Sequence, residues 1–214
     1  MSEYGNEWLW EKLAEITVQN LKRHDFDAHF FYTRESALEF IFDMVYRFET
    51  FGIGGSDTIR KLGIIDRLIK NQKEVFDHWQ EGLTPEEDLA IRLKHGRCDC
   101  FISSANAISA TGEIVNVDGV GNRTCAMTFG PKQVILVCGM NKVTPDLESA
   151  LRRIQEVAGP LRAKSLEMDT PCAKTGICTD CNSPQRICRV TTILHRRPML
   201  TSVEIVLINE ALGF

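Results

Sequence analysis

Apolar and polar positions along this chain switch repeatedly between a strand rhythm and a helix rhythm. FDAHFFY (26–32) reads as a strand, and RESALEFIFDMVYRF after it carries a helical period with Thr33 placed to cap it. ETFGIGGSDT is a short strand running into glycines, and the segment around IRKLGIIDRLIK is again helical. KEVFDHW (73–79) predicts a strand, and in TPEEDLAIRLK residues Thr84 and Glu87 form a capping box with Pro85 in the first helical position. CDCFISSA (98–105) predicts a buried strand with Cys100 in the core and Cys98 at its edge. GEIVNV alternates like a strand, while QVILVCG (133–139) is an unbroken apolar run, the pattern of a central parallel strand covered on both faces, with Cys138 in the core. Thr144 and Pro145 open a helix with Leu147, Ala150, Leu151, Ile154 and Val157 on one face, and Gly159-Pro160 is expected to stop it.

The ends of the chain fit the same scheme. Residues 6–24, with Leu9, Leu13, Ile16, Val18 and Leu21 among charged neighbours, predict an amphipathic helix within the first 25 residues. VTTILHR (190–196) and TSVEIVLIN (201–209) are strands split by Arg197-Pro198. Alternation of this kind predicts an α/β fold, a mainly parallel sheet flanked by helices, in a single domain over 1–214.

Composition narrows the function. A net charge of −4 and 43% hydrophobic residues describe an ordinary soluble chain without a basic nucleic-acid-binding surface, so partners are expected to be small molecules or proteins. Glu3, Glu7 and Glu11 stand where an export signal needs positive charge and then an apolar run. The longest apolar run, Val134–Cys138, is far short of the ~20 residues that span a bilayer. A cytoplasmic location is expected, and there the eight cysteines read as ligands, catalysts or core residues before disulfides.

Two polar, glycine-rich stretches are candidate ligand loops. Gly52, Gly54 and Gly55 lead into Ser56 and Thr58 at a helix start, where backbone N–H groups favour an anion or a carbonyl, although neither a dinucleotide fingerprint nor a P-loop is present. NAISATGEIVNVDGVGNRT (106–124) places Asp118, Asn122 and Arg123 near one strand end, with Asn106 opening the segment. A tight turn explains its glycines but not Arg123.

A third stretch is the most individual. Residues 170–189 contain CAKTGICTDCNSPQRIC, with Cys172, Cys178, Cys181 and Cys188 spaced C-x5-C-x2-C-x6-C in a pliable loop. Four thiolates so close in sequence can close around one metal centre. The spacing matches neither the paired zinc-ribbon pattern nor a ferredoxin run. Its wide intervals suit a four-iron four-sulfur cluster, with zinc as the alternative, and Lys174, Arg186 and Arg189 against Asp180 give the loop a +2 charge to offset either.

Five motifs in order, GIGGSDTIRKLG, SSANAISATGEIVNVDGVGNR, FGPKQVILVCGMNKV, PCAKTGICTDCNSPQRIC and VEIVLINEALGF, resemble the lactate-utilization domain family, also called LUD. The resemblance implies a fold similar to ribose-5-phosphate isomerase, glucosamine-6-phosphate deaminase and the coenzyme A transferases. In that setting Gly54, Gly55, Ser56 and Thr58 would face a phosphate or acyl group. The acidic D-G-A-D-E turn of the isomerases is here Asp118-Gly119-Val120-Gly121-Asn122, which keeps one acid and leaves Asp118 and Lys142 as the acid and base candidates.

The resemblance also implies participation in the oxidation of lactate or a related 2-hydroxy acid, as subunit or accessory of a redox system with protein partners; homo-oligomers are compatible with the sequence, which does not set the oligomeric state. The alternative is a stand-alone enzyme for a sugar phosphate or acyl thioester, with a structural zinc.

Overall fold

Among the described residues, six of the ten strands form one parallel sheet in the order β1-β10-β7-β4-β2-β3. These strands are β1 (Asp27–Phe31), β2 (Thr50–Ile53), β3 (Glu74–Asp77), β4 (Cys100–Ser103), β7 (Gln133–Gly139) and β10 (Ser202–Ile208). The computed structural model describes residues 3–214, and side chains from residue 8 onward. Met1 and Ser2 of the expected N-terminal helix therefore lie outside the described residues, and the helix itself, α1, runs Glu3–Arg23.

The unbroken apolar run of β7 follows from its place in the sheet. Val134, Leu136 and Cys138 point into a core shared with Ala14 and Leu21 of α1, while Ile135 and Val137 point into one shared with Ala37, Ile41 and Val45 of α2 (Arg34–Val45). A strand buried on both faces has no polar alternation to show. Thr33 caps α2 and Thr84 caps α5 (Pro85–Lys94) through the predicted capping box.

Four features depart from the sequence reading. First, the remaining strands make a second, small sheet, β8-β5-β6-β9, from β5 (Ala107–Ser109), β6 (Ile114–Asp118), β8 (Val143–Thr144) and β9 (Val190–Leu194). Thus GEIVNV and VTTILHR pair antiparallel with each other and do not join the main sheet. Second, Gly63, at φ 65°, divides the expected helix around 59–70 into α3 (Asp57–Lys61) and α4 (Ile64–Lys70).

Third, the helix beginning at α7 (Leu147–Arg153), capped by Asp146, does not stop at Gly159-Pro160. A π-helical turn at Ile154–Ala158 lets the chain continue into α8 (Gly159–Ser165), because the wider turn absorbs the missing proline N–H. Fourth, α1 buries Ala14, Thr17 and Leu21, leaving Leu9 and Ile16 exposed, so its inner face is set by a small and a hydroxylated residue that an apolar count passes over. Among the described residues no helix is long and apolar enough to cross a membrane.

The topology places a crevice. Onward from β2 the chain passes through α3 and α4, whose Ile59, Leu62, Ile64 and Leu68 pack on one face of the main sheet. Onward from β4 it passes through the small sheet and α6 (Asn122–Thr128), whose Ala126 and Met127 pack on the other face. Adjacent strands whose connections leave to opposite faces part at their carboxyl ends, and ligands of open α/β sheets bind there.

Candidate functional site

A cavity of about 510 Å³ opens beyond the carboxyl ends of these strands, a size suited to a small molecule. It is lined by Gly55, Ser56 and Thr58 after β2, His78 and Trp79 after β3, Ser104 and Asn106 after β4, and Lys142 after β7. Asp118, Asn122 and Arg123 line it from the small sheet and α6, and Cys172, Cys178, Cys181 and Cys188 from the cysteine loop. The structure therefore brings the two glycine-rich stretches and the thiol loop to one place.

Gly54 is not part of the lining. A Cβ on it would stand 2.4 Å from Ser103 Oγ, so its glycine is required by packing against β4; at Gly55 a Cβ would come within 2.6 Å of the Trp79 ring. The hydroxyls of the same turn are committed locally. Ser56 Oγ accepts from Ile59 N at 3.4 Å as the cap of α3, and Thr58 Oγ1 donates to Leu212 O at 3.1 Å.

Lys142 sits in the turn that follows β7 and is 5% exposed. Its Nζ donates to Ser104 Oγ at 2.9 Å and Thr58 Oγ1 at 3.1 Å. Burial lowers its pKa from 10.5 to about 8, with nearby Arg153 and Arg123 acting in the same direction. Arg123, Arg162, Arg186 and Arg92 also line the cavity, and each has a carboxylate: Asp118 at 2.7 Å, Asp57 at 3.4 Å, Asp180 at 2.7 Å and Asp88 at 2.6 Å respectively. Among the described residues Lys142 has no carboxylate within ion-pair distance. An ammonium so buried, held by two hydroxyls, is one that an anion beside it would stabilise.

Asp118 is differently placed. Its Oδ1 accepts from Arg123 Nε at 2.7 Å, and its Oδ2 accepts from the backbone N–H groups of Arg123 at 3.0 Å and Thr124 at 3.1 Å. Arg123 also donates to Val117 O at 2.8 Å. The carboxylate thus closes the turn and starts α6, so the oxygens of Asp118 are engaged by the turn and by Arg123. Asn106 Oδ1 accepts from Val117 N at 2.8 Å, and Asn122 Oδ1 accepts from Arg92 at 3.0 Å.

The cysteine loop is tied to this turn directly. Arg189 N donates to Asp118 O at 2.9 Å, and Gly119 packs against the backbone of Ile187. Inside the loop Arg186 donates to the carbonyls of Cys181 at 2.8 Å and Cys188 at 2.9 Å, so one guanidinium fixes two cysteine positions. A short helix, α9 (Pro171–Thr175), capped by Thr170, presents Cys172. All four thiols are free, and Cys178 is the exposed one. Among the described residues no three His, Cys, Asp or Glu side chains are grouped to hold a single metal ion.

A model of the LUD domain family matches residues 14–208. The chain belongs to the LUD domain family. Among solved structures, the LUD chain is similar to a DUF162 family protein from Deinococcus radiodurans, with a TM-score of 0.56 at 11% identity over 93% of this chain and 98% of that one. That likeness extends to the fold alone. No curated protein matches the chain.

Among the lining residues that sequence reasoning missed are His78, Trp79, Arg92, Ser104 and Arg162. The end of KEVFDHW points past β3 and marks the first two. Trp79 stacks between Arg60 at 4.7 Å and Arg162 at 4.4 Å, and the latter lies on the helix that was expected to have ended.

Proposed function

We propose that this LUD protein carries an iron–sulfur cluster in its cysteine loop and takes part in oxidising lactate or a related 2-hydroxy acid, as subunit or accessory of a redox system with protein partners. One observation carries the reading: the buried, anion-free Lys142 and the four loop thiols line the same cavity. A small carboxylate fits this environment. Lys142 takes the carboxylate, Ser104 and Thr58 aim the ammonium, and the Asp118–Arg123 pair holds the turn against which the loop rests. Arg186 sets the spacing of Cys181 and Cys188 and, with Lys174 and Arg189, offsets the negative charge of a tetrathiolate centre. A bound cluster would supply one-electron transfer beside the substrate. A cytoplasmic, reducing setting that keeps the thiols free belongs to the same proposal.

The donor set fits the cluster better than zinc. Zinc draws four sulfurs to one point at about 2.3 Å, whereas a cluster offers each sulfur its own iron and accepts thiols held farther apart. Four thiols line one cavity, and their wide C-x5-C-x2-C-x6-C spacing suits the wider centre. The alternative of a sugar-phosphate or acyl-thioester enzyme with structural zinc has less support, since Ser56 and Thr58 spend their hydroxyls on the cap, on Leu212 and on Lys142.

Anaerobically purified protein is expected to be brown and to hold about four irons per chain. Cys178→Ser and Cys181→Ser are each expected to lower the iron content sharply. A colourless protein with one zinc per chain, or unchanged iron in both variants, overturns the assignment.

A further inference from the structure

The turn after β3 is rigid. Asp77 accepts two hydrogen bonds from Arg60, at 2.7 and 2.9 Å, and a third from Trp79 N at 3.0 Å, which fixes the backbone on either side of His78. His78 is 7% exposed and lines the cavity. Its Nδ1 is shut away from solvent and has no hydrogen-bond partner among the described residues. The neighbouring imidazole of His95, with ring centroid 5.4 Å away, is satisfied on both sides, by Phe76 O at 3.1 Å and by Asn122 Nδ2 at 3.4 Å.

Buried polar atoms in folded proteins are nearly all paired, so an unpaired one calls for an explanation. Burial, reinforced by Arg92, pushes the His78 pKa down to about 4, and the ring is neutral at pH 7 with a single proton. An orphaned N–H is rarer than an under-used acceptor, so the proton belongs on Nε2 and the closed-in Nδ1 is left bare. The ring then offers one donor to whatever occupies the cavity.

His78 and Lys142 line the same cavity from neighbouring parts of the sheet edge. β3 and β7 stand three places apart in the sheet, roughly 14 Å at about 4.8 Å per place. Lys142 spans much of that by reaching across β4 to Ser104 and across β2 to Thr58.

Resting on the reading of Lys142 as a carboxylate site, we infer that His78 donates through Nε2 to the C2 oxygen of the bound acid and thereby selects 2-hydroxy and 2-oxo acids over plain carboxylic acids. A pocket built to hydrogen-bond a substrate oxygen rejects the analogue that lacks it, because its own polar group is then left unpaired.

Calorimetric titration of the full-length protein with L-lactate, pyruvate and propionate tests this. Wild type is expected to prefer lactate and pyruvate over propionate by about tenfold or more. His78→Phe is expected to bind all three alike, with propionate affinity within about twofold of wild type, and His78→Gln, which returns a donor, to restore part of the preference. Should the phenylalanine variant fail to fold, the ¹⁵N resonances of the His78 ring in wild type serve instead, moving with lactate and staying still with propionate. An unaltered lactate preference in His78→Phe, or equal lactate and propionate binding by wild type, overturns the role of His78. If wild type binds none of the three acids, the carboxylate reading of Lys142 fails, and this inference with it.

Discussion

Replacing Lys142 with methionine is expected to weaken L-lactate binding by about 10- to 100-fold at pH 7 while making the protein more stable. The two effects have one cause. A buried ammonium without a carboxylate partner is costly to the folded chain and valuable to an incoming anion. In the folded protein burial lowers its pKa to about 8, against an ordinary 10.5. Between these values the unfolded chain holds more protons, so stability from this group rises with pH across that window, by about 3 kcal/mol in all. Binding runs the other way, because it needs the ammonium and falls as pH climbs above about 8. Urea melts at pH 7, 9 and 10 are expected to show the methionine variant ahead at pH 7, with the gap closing toward pH 10.5. A methionine variant that is less stable at every pH, or that binds lactate as wild type does, contradicts this assignment.

The second large effect concerns the turn beneath the loop. Asp118→Ala removes three hydrogen bonds and leaves the Arg123 guanidinium, whose side chain is 14% exposed, without its carboxylate. Breaking such a pair from one side costs about 3–5 kcal/mol, which for a chain of this length lowers Tm by roughly 6–20 °C. Because Arg189 N bonds to Asp118 O and β9 pairs with β6 at Asp118, the disturbance reaches the cysteine loop as well. The Asp118→Ala, Arg123→Ala double variant is expected to recover part of the loss, since it removes the stranded charge too. Thermal melts of the three variants check this; equal losses in both single variants that add in the double would show the pair to be uncoupled.

The sequence made the main sheet legible where burial is most complete. β7 carries an unbroken apolar run, and β10 one from Ile205 to Ile208, because helices or the small sheet cover both of their faces. The small sheet was hidden for two reasons. β5 and β8 are three and two residues long, too short for a period to register, and β6 has an alternation that would look the same in either sheet. Helix α6 was hidden behind the glycines of DGVGNR, since its start is made by the distant-looking carboxylate of Asp118 and not by a capping residue next to it.

The site was legible where its residues lie in glycine-rich or cysteine-rich words, and illegible where single residues arrive from separate elements. Asn122, Arg123 and the loop cysteines stand in such words, and Lys142 entered through the family resemblance. His78 and Arg92 stand in ordinary strand and helix text, and only the parallel sheet, by ending β2, β3, β4 and β7 at one edge, carries them to the same cavity. The role of Asp118 was open to sequence reading only as a choice between catalysis and turn formation, and the three donors around its carboxylate favour the turn.

We propose that the thiol loop and the Lys142 anion site are one site. The most direct measurement of this is the visible spectrum of the iron-loaded protein titrated with L-lactate under anaerobic conditions, in wild type and in Lys142→Met. A saturable change of the iron–sulfur absorption is expected in wild type, and none at the same concentrations in the variant. A spectrum that stays unchanged while calorimetry records lactate binding would place the metal and the substrate apart and contradict it.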